Sequence, residues 1–257
     1  MKSKIILTIA VTAIVATSTF AKESSETVKL LSTASTQKML SQRLAKDYLY
    51  LGNKVASNKA KKQFEKSMIL LDDTQKALVD SINDEEIKNL LSFVKMSSDE
   101  FKEVANEAYS LDNAQLILDL SESMLEGSEY VVNTLKETME INESNSVVIA
   151  SRQSVLAQRI AKYYIAYQSG IKDKNTIIQM KDAVKLFSDA QKKLMANETN
   201  TPELNRKLND INRLWKIVYK FYLNIEKGGL PLIVFNTTDK ITKKMNTITN
   251  MYMDIHK

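Results

Sequence analysis

Cysteine is absent from the 257 residues, and histidine occurs once, as His256 beside the last residue. Disulfides, thiolate metal sites and thiol nucleophiles are therefore excluded. With its only imidazole at the chain end, the sequence also lacks the residue from which histidine zinc sites and histidine-based triads are built. Five glycines and two prolines are too few for a turn-rich fold, and no glycine-rich phosphate loop or nucleophile elbow occurs. Strong charge of one sign is missing too. The formal net charge is +5, falling to +3 when Lys2 and Lys4 are set aside, with 34 basic and 31 acidic residues interspersed. No basic stripe of the kind that binds nucleic acid is left. Catalysis has no visible constellation, so the expectation is a non-enzyme with no cofactor and no metal.

Long apolar runs are confined to the start. Lys2 and Lys4 precede an almost wholly apolar stretch from Ile5 to Val15, and Thr19, Phe20 and Ala21 follow. Charged, then apolar, then small is the order of a secretory signal peptide, and the apolar stretch is short for a membrane span. Residues 1–21 are predicted to be a cleaved signal peptide that delivers residues 22–257 to the periplasm; an uncleaved anchor is the rival reading. Leu230–Phe235 is the strongest later run, well short of the roughly 20 apolar residues that a spanning helix needs.

The rest of the chain is rich in Leu, Lys, Glu, Ala, Met and Gln, which favour helix. Apolar residues recur at three and four, as in Leu40, Leu44, Tyr48, Leu51 and in Leu156, Ile160, Tyr164, Tyr167. Helices are predicted at 24–56, 59–81, 84–109, 112–169, 174–196, 202–226 and 231–255. Asp84 and Thr201–Pro202 read as starts, and Gly170 and Gly228–Gly229 as stops. The polar stretch Glu140–Ser146 contains no breaker, which favours one continuous helix over 112–169.

Thirteen residues occur nearly twice: ASTQKMLSQRLAK at 34–46 and ASRQSVLAQRIAK at 150–162. At the same offset of 116, DDTQKAL (Asp72–Leu78) faces SDAQKKL (Ser188–Leu194). An ungapped match over some forty residues marks an internal duplication, with units at 22–140 and 141–257, each of ordinary domain size. The fold class expected is all-α: two tandem antiparallel four-helix-type bundles joined end to end by the long shared helix.

Each motif sets guanidinium and amide donors at the edge of an apolar seam. Lys38, Gln42 and Lys46 stack on one face of a helix, with Arg43 on the next stripe; Arg152, Arg159 and Lys162 share a stripe in the second copy, beside Gln153 and Gln158. Guanidinium suits planar oxyanions and carboxylates, and neighbouring leucines would strengthen such contacts by excluding water. The competing reading is structural: each arginine pins its helix to a carboxylate on a facing one, with Asp72, Asp73 and Asp189 as candidate partners.

The two motifs resemble the (A/S)GRQRMLSQRMAK pattern of the PilJ-type domain, the sensing region of type IV pilus methyl-accepting chemotaxis transducers. That domain is related to the periplasmic bundle of the nitrate/nitrite sensor kinases. The resemblance implies a helical sensory domain, often dimeric, that reads a small ligand outside the cytoplasm. In the nitrate-binding relatives, the anion-holding arginine corresponds to Lys38 and Ser154 of this chain. The family glycine is Ser35 and Ser151, the earlier arginine is Thr36 and Arg152, and the Gln-Arg pair is kept as Gln42–Arg43 and Gln158–Arg159. Lys38 keeps the charge without the planar fork; Ser154 has none.

Relatives carry a membrane helix and a signalling module. The expected partners are thus a small anionic ligand, nitrate-like or otherwise, and a membrane chemoreceptor or sensor kinase, with donors that can be completed across a homodimer. The alternative is an adaptor that docks on a chemoreceptor or pilus component without a small ligand. Acidic pairs such as Asp72–Asp73 and Asp99–Glu100 read as solvated faces, because adjacent residues on a helix point apart. Trp215, Tyr219, Phe221 and Tyr222 read as core.

Overall fold

The computed structural model describes the backbone of residues 13–138, 146–227 and 229–255, with side chains from residue 29 onward in those ranges. Most of the apolar start read as a signal peptide, the polar stretch at 139–145 and His256 lie outside the described residues. Eight α-helices and no strand are found among the described residues: α1 (Ala13–Gly52), α2 (Ser57–Ser81), α3 (Glu85–Asn106), α4 (Leu111–Thr138), α5 (Ser146–Gln168), α6 (Lys174–Met195), α7 (Pro202–Leu223) and α8 (Pro231–Ile255), with a single 3-10 turn at Ile225–Lys227. None of these helices is long and apolar enough to cross a membrane. The all-α bundle read from the sequence is the fold observed.

Local chemistry sets the boundaries. The Asp84 carboxylate caps α3 by accepting from the Ile87 amide at 2.9 Å, and Asp173 caps α6 from Thr176 at 2.8 Å. The Thr201 hydroxyl accepts from the Leu204 amide at 3.2 Å, ahead of Pro202 in the first turn of α7. Past the end of α5, Gly170 takes φ +110°, where a side chain would be strained. Gly229 is required by close approach: a Cβ there would lie 1.4 Å from the Tyr164 hydroxyl oxygen.

One turn breaks these rules. Lys54, exposed between α1 and α2, adopts φ 57° without being glycine. Lys54→Gly is expected to raise stability by about 1 kcal/mol, because the left-handed conformation costs a residue with a Cβ about that much. Lys54→Ala, which keeps the Cβ, should give no such gain; equal midpoints for the two variants in urea would contradict this.

Two rings of four helices result. α1 packs on α2 and α4, and α3 joins α2 to α4; α5 packs on α6 and α8, with α7 between those two. The second ring closes on Phe187 stacked against Trp215, 4.1 Å between ring centres, with Tyr222 beside them. The rings are joined through α1 and α5, which pack on each other along their length. Phe235 of α8 reaches into the first core, edge-on to Tyr50 at 4.7 Å, and Val155 and Ile165 of α5 enter the same cluster.

The expected continuous helix over 112–169 is corrected here. Helix stops being described at Thr138 and resumes at Ser146, and Glu122 of α4 is bonded to Arg159 of α5. Along one straight helix those two residues would be about 55 Å apart. The bundles lie side by side rather than end to end. The reason is in the motif helices: every residue from Gln37 to Tyr50 is buried except Arg43, and every residue from Gln153 to Ala166 except Arg159. A helix buried all round needs neighbours on every side, and a lone four-helix ring leaves one face open. α1 and α5 each fill that face of the other.

The pairing has two-fold character. Asn53 donates to Ser169, its own counterpart 116 residues on. Gln37 donates to Gln75 at 2.6 Å and Gln75 to the Leu91 carbonyl at 2.8 Å; in the second ring Gln153 donates to Gln191 at 3.4 Å and Gln191 to the Leu208 carbonyl at 3.0 Å. Each buried amide ladder crosses three helices in the same order. The duplication thus preserves a packing scheme as well as a sequence.

Candidate functional site

Lys46, Lys162 and Arg159 of the motifs reach across the interface instead of joining one donor cluster per copy. Lys46 of α1 is wholly buried and donates to Asp239 of α8 and to Gln63, both at 2.8 Å, with its ammonium 4.3 Å from the centre of the Phe235 ring. Lys162 of α5, equally buried, donates to Glu122 of α4 and to the Ser121 hydroxyl, the latter at 2.9 Å. Each half therefore grips an acid on the last helix of the other half. Self-complementary exchange of this kind is what a two-fold interface produces.

The arginines support these pairs. Arg159 donates to Glu122 and, at 2.9 Å, to Gln179. Burial alone would raise the Glu122 pKa, but Lys162 and Arg159 overcome it and hold the carboxyl below its usual range. Burial pushes the Lys162 ammonium down to about 8 in spite of Glu122. Arg43 stands near enough to Asp239 and Asp47 to favour their charged forms, while its Nε is buried without a hydrogen-bond partner. Neither arginine uses Asp72, Asp73 or Asp189, the partners suggested by sequence. Asp72 instead pairs with Lys102 at 2.6 Å.

The glutamines are also committed internally. Gln42 donates to the Ser121 carbonyl at 2.9 Å, Gln153 to the Phe187 carbonyl at 3.0 Å and Gln158 to the Thr242 hydroxyl at 2.8 Å. Gln42, Gln153, Gln158, Lys46 and Lys162 have no exposed surface, so they are not placed to meet a solute from solution. This corrects the two donor clusters expected from the motif.

Lys38 and Arg152 are different. They come from different copies and line one cavity of about 600 Å³ between α1, α4, α5 and α6. Its charged lining is Lys38 of α1, Glu129 and Lys136 of α4, Arg152 of α5, and Asp189 and Lys193 of α6. Lys38 is 5 % exposed and ion-paired with Glu129. Burial lowers its pKa, Glu129 opposes that, and repulsion from Arg152 and Lys136 adds to the lowering. Like charges gathered in a partly dry concavity favour an anion between them.

Comparison with family models, with curated proteins and with solved structures finds no match to the chain. The chemistry of the cavity therefore stands on its own residues.

A counterpart lies on the other side of the α1–α5 contact. It measures about 230 Å³ and carries Ser32, Thr36, Met39, Ser154, Asn246 and Thr249, with no charged residue in its lining. Ser35 and Ser151 line both cavities. In place of the Lys38–Glu129 pair, the Ser154 hydroxyl donates to Asn246 at 2.6 Å. The duplication leaves a cavity on each side of the α1–α5 contact and charged residues in the lining of one of them. Among the described residues, no group of acidic or histidine side chains could hold a metal ion.

Sequence reasoning missed Glu129, Lys136, Lys193, Glu122 and Asp239. A signal existed for the last two: Glu122 and Asp239 are acids 117 residues apart, one register step beyond the motif offset. The remaining residues of α4 and α8 share too little for that step to stand out.

Proposed function

We propose that the chain is an exported, PilJ-like sensory protein that binds a small anionic solute in the cavity between its halves and relays occupancy to a membrane chemoreceptor or sensor kinase. The meeting of Lys38 and Arg152, one from each half, in that cavity carries the reading. Export rests on the order of residues 1–21, and the sensory assignment on the two motif copies. The chain acts by binding, without catalysis or cofactor. Because Lys38 belongs to α1 and Arg152 to α5, an anion held by both interacts with the relative placement of the two bundles, which gives it a lever on a partner. The two halves supply in one chain the paired donors that a homodimer would otherwise supply.

Thermal shift across nitrate, nitrite, acetate and larger carboxylates tests this. The melting temperature should climb with the logarithm of anion concentration above the dissociation constant. Arg152→Gln, at an exposed position, should remove that dependence. A flat response across the panel would overturn the reading. It would favour docking without a ligand, for which the exposed Leu223, Leu230, Leu232 and Ile233 around the α7–α8 turn offer a surface.

A further inference from the structure

The cavity is far larger than an inorganic oxyanion requires. At roughly 30 Å³ per water it would hold about twenty waters, and it lies inside the range of about 300–1,000 Å³ typical for drug-sized organic ligands. Nitrate, with four heavy atoms, would leave most of it wet. Its walls are also divided. The cations Lys38 and Arg152 stand beside an apolar wall formed by Val132, Val148, Ile149, Val155 and Leu186. An apolar wall next to a charged group gains nothing from a fully hydrated inorganic ion, but it gains from each apolar carbon removed from water.

We infer that the chain is a one-site receptor for an amphipathic organic anion, a carboxylate with an aliphatic or aromatic body, rather than for an inorganic oxyanion. This rests on the anion-binding reading above and narrows its ligand class. The carboxylate sits between Lys38 of one half and Arg152 of the other and relieves their repulsion. The body lies along the Val148–Leu186 wall. Stoichiometry follows from the counterpart: with Ser154 and Asn246 where this site has Lys38 and Glu129, and with less than half the volume, the second cavity offers neither the charge nor the room. The duplication thus yields a pseudo-symmetric receptor with one working site per chain.

Isothermal titration of the full chain with octanoate, phenylacetate, phenylacetamide, acetate and nitrate tests both the class and the count. Octanoate or phenylacetate should bind with one ligand per chain, at least tenfold more tightly than acetate or nitrate, and the neutral phenylacetamide should bind at least tenfold more weakly than phenylacetate. Arg152→Gln should weaken the organic anions tenfold or more. Leu186→Ser, at an exposed position, should weaken octanoate several-fold while leaving nitrate unchanged. Nitrate binding as tightly as the organic anions, with dependence on Arg152, would overturn this inference and leave the anion-receptor reading standing. Two ligands per chain, or organic-anion binding indifferent to both substitutions, would also overturn it. Absence of binding by every anion would overturn both.

Discussion

Glu122→Leu is expected to destabilise the protein by about 3–5 kcal/mol, the usual consequence of stripping the partner from a buried charge. Glu122 accepts from Lys162 and Arg159, and Lys162 has no exposed surface from which to recover water. Arg159 is less exacting, since its side chain is 20 % exposed. The penalty is therefore attributed mainly to the stranded lysine. Adding Lys162→Met should recover most of the loss, because a buried pair replaced by apolar groups of similar size is often neutral. The two single variants and the double variant form a cycle, read by urea denaturation, whose coupling should exceed about 2 kcal/mol. A Glu122→Leu loss under about 1 kcal/mol would mean that α4 does not shield the lysine.

Asp47→Asn is expected to stabilise the protein at pH 8 by about 3 kcal/mol and to do little at pH 4. Asp47 is wholly buried, and its ion pair at 3.2 Å is with Lys46, whose shorter hydrogen bonds at 2.8 Å go to Asp239 and Gln63. Burial raises its pKa from 3.8 to about 7, against the pull of Lys46 and with added repulsion from Asp239. Between those values the folded state holds more protons than the unfolded state, so stability falls as pH rises through that window. Above it the buried charge exacts its full cost, which a neutral amide of the same shape removes. Melting curves of both proteins at pH 4 and pH 8 check the sign. An equal shift at both would show that the carboxylate is not what costs stability.

The helices were legible because their signals are local. Asp84, Thr201–Pro202 and Gly170 act within a few residues of themselves, and the three-four spacing of Leu40, Leu44 and Tyr48 reports burial whatever the neighbour is. The duplication was legible because both copies of the motif do the same job. The arrangement of the bundles was not, because it depends on a feature that periodicity obscures: α1 and α5 are buried on all sides, so a stripe understates what they cover. From sequence, Lys46 and Lys162 read as donors at the edge of an apolar seam, placed to meet a ligand. Only the other half of the chain supplies Asp239 and Glu122, and nothing near either lysine in sequence announces them. The cavity was half legible: Lys38 and Arg152 were identified, but as members of separate clusters.

The side-by-side pairing of α1 and α5 is tested most directly by joining residues that are equivalent under the duplication. The chain has no cysteine of its own, so Asn53→Cys combined with Ser169→Cys introduces a unique pair at a point where the two halves touch. Mild oxidation or a short bismaleimide should link them within one chain, in high yield independent of protein concentration and with helical circular dichroism retained. Failure to link, or linkage only between chains at high concentration, would contradict the account.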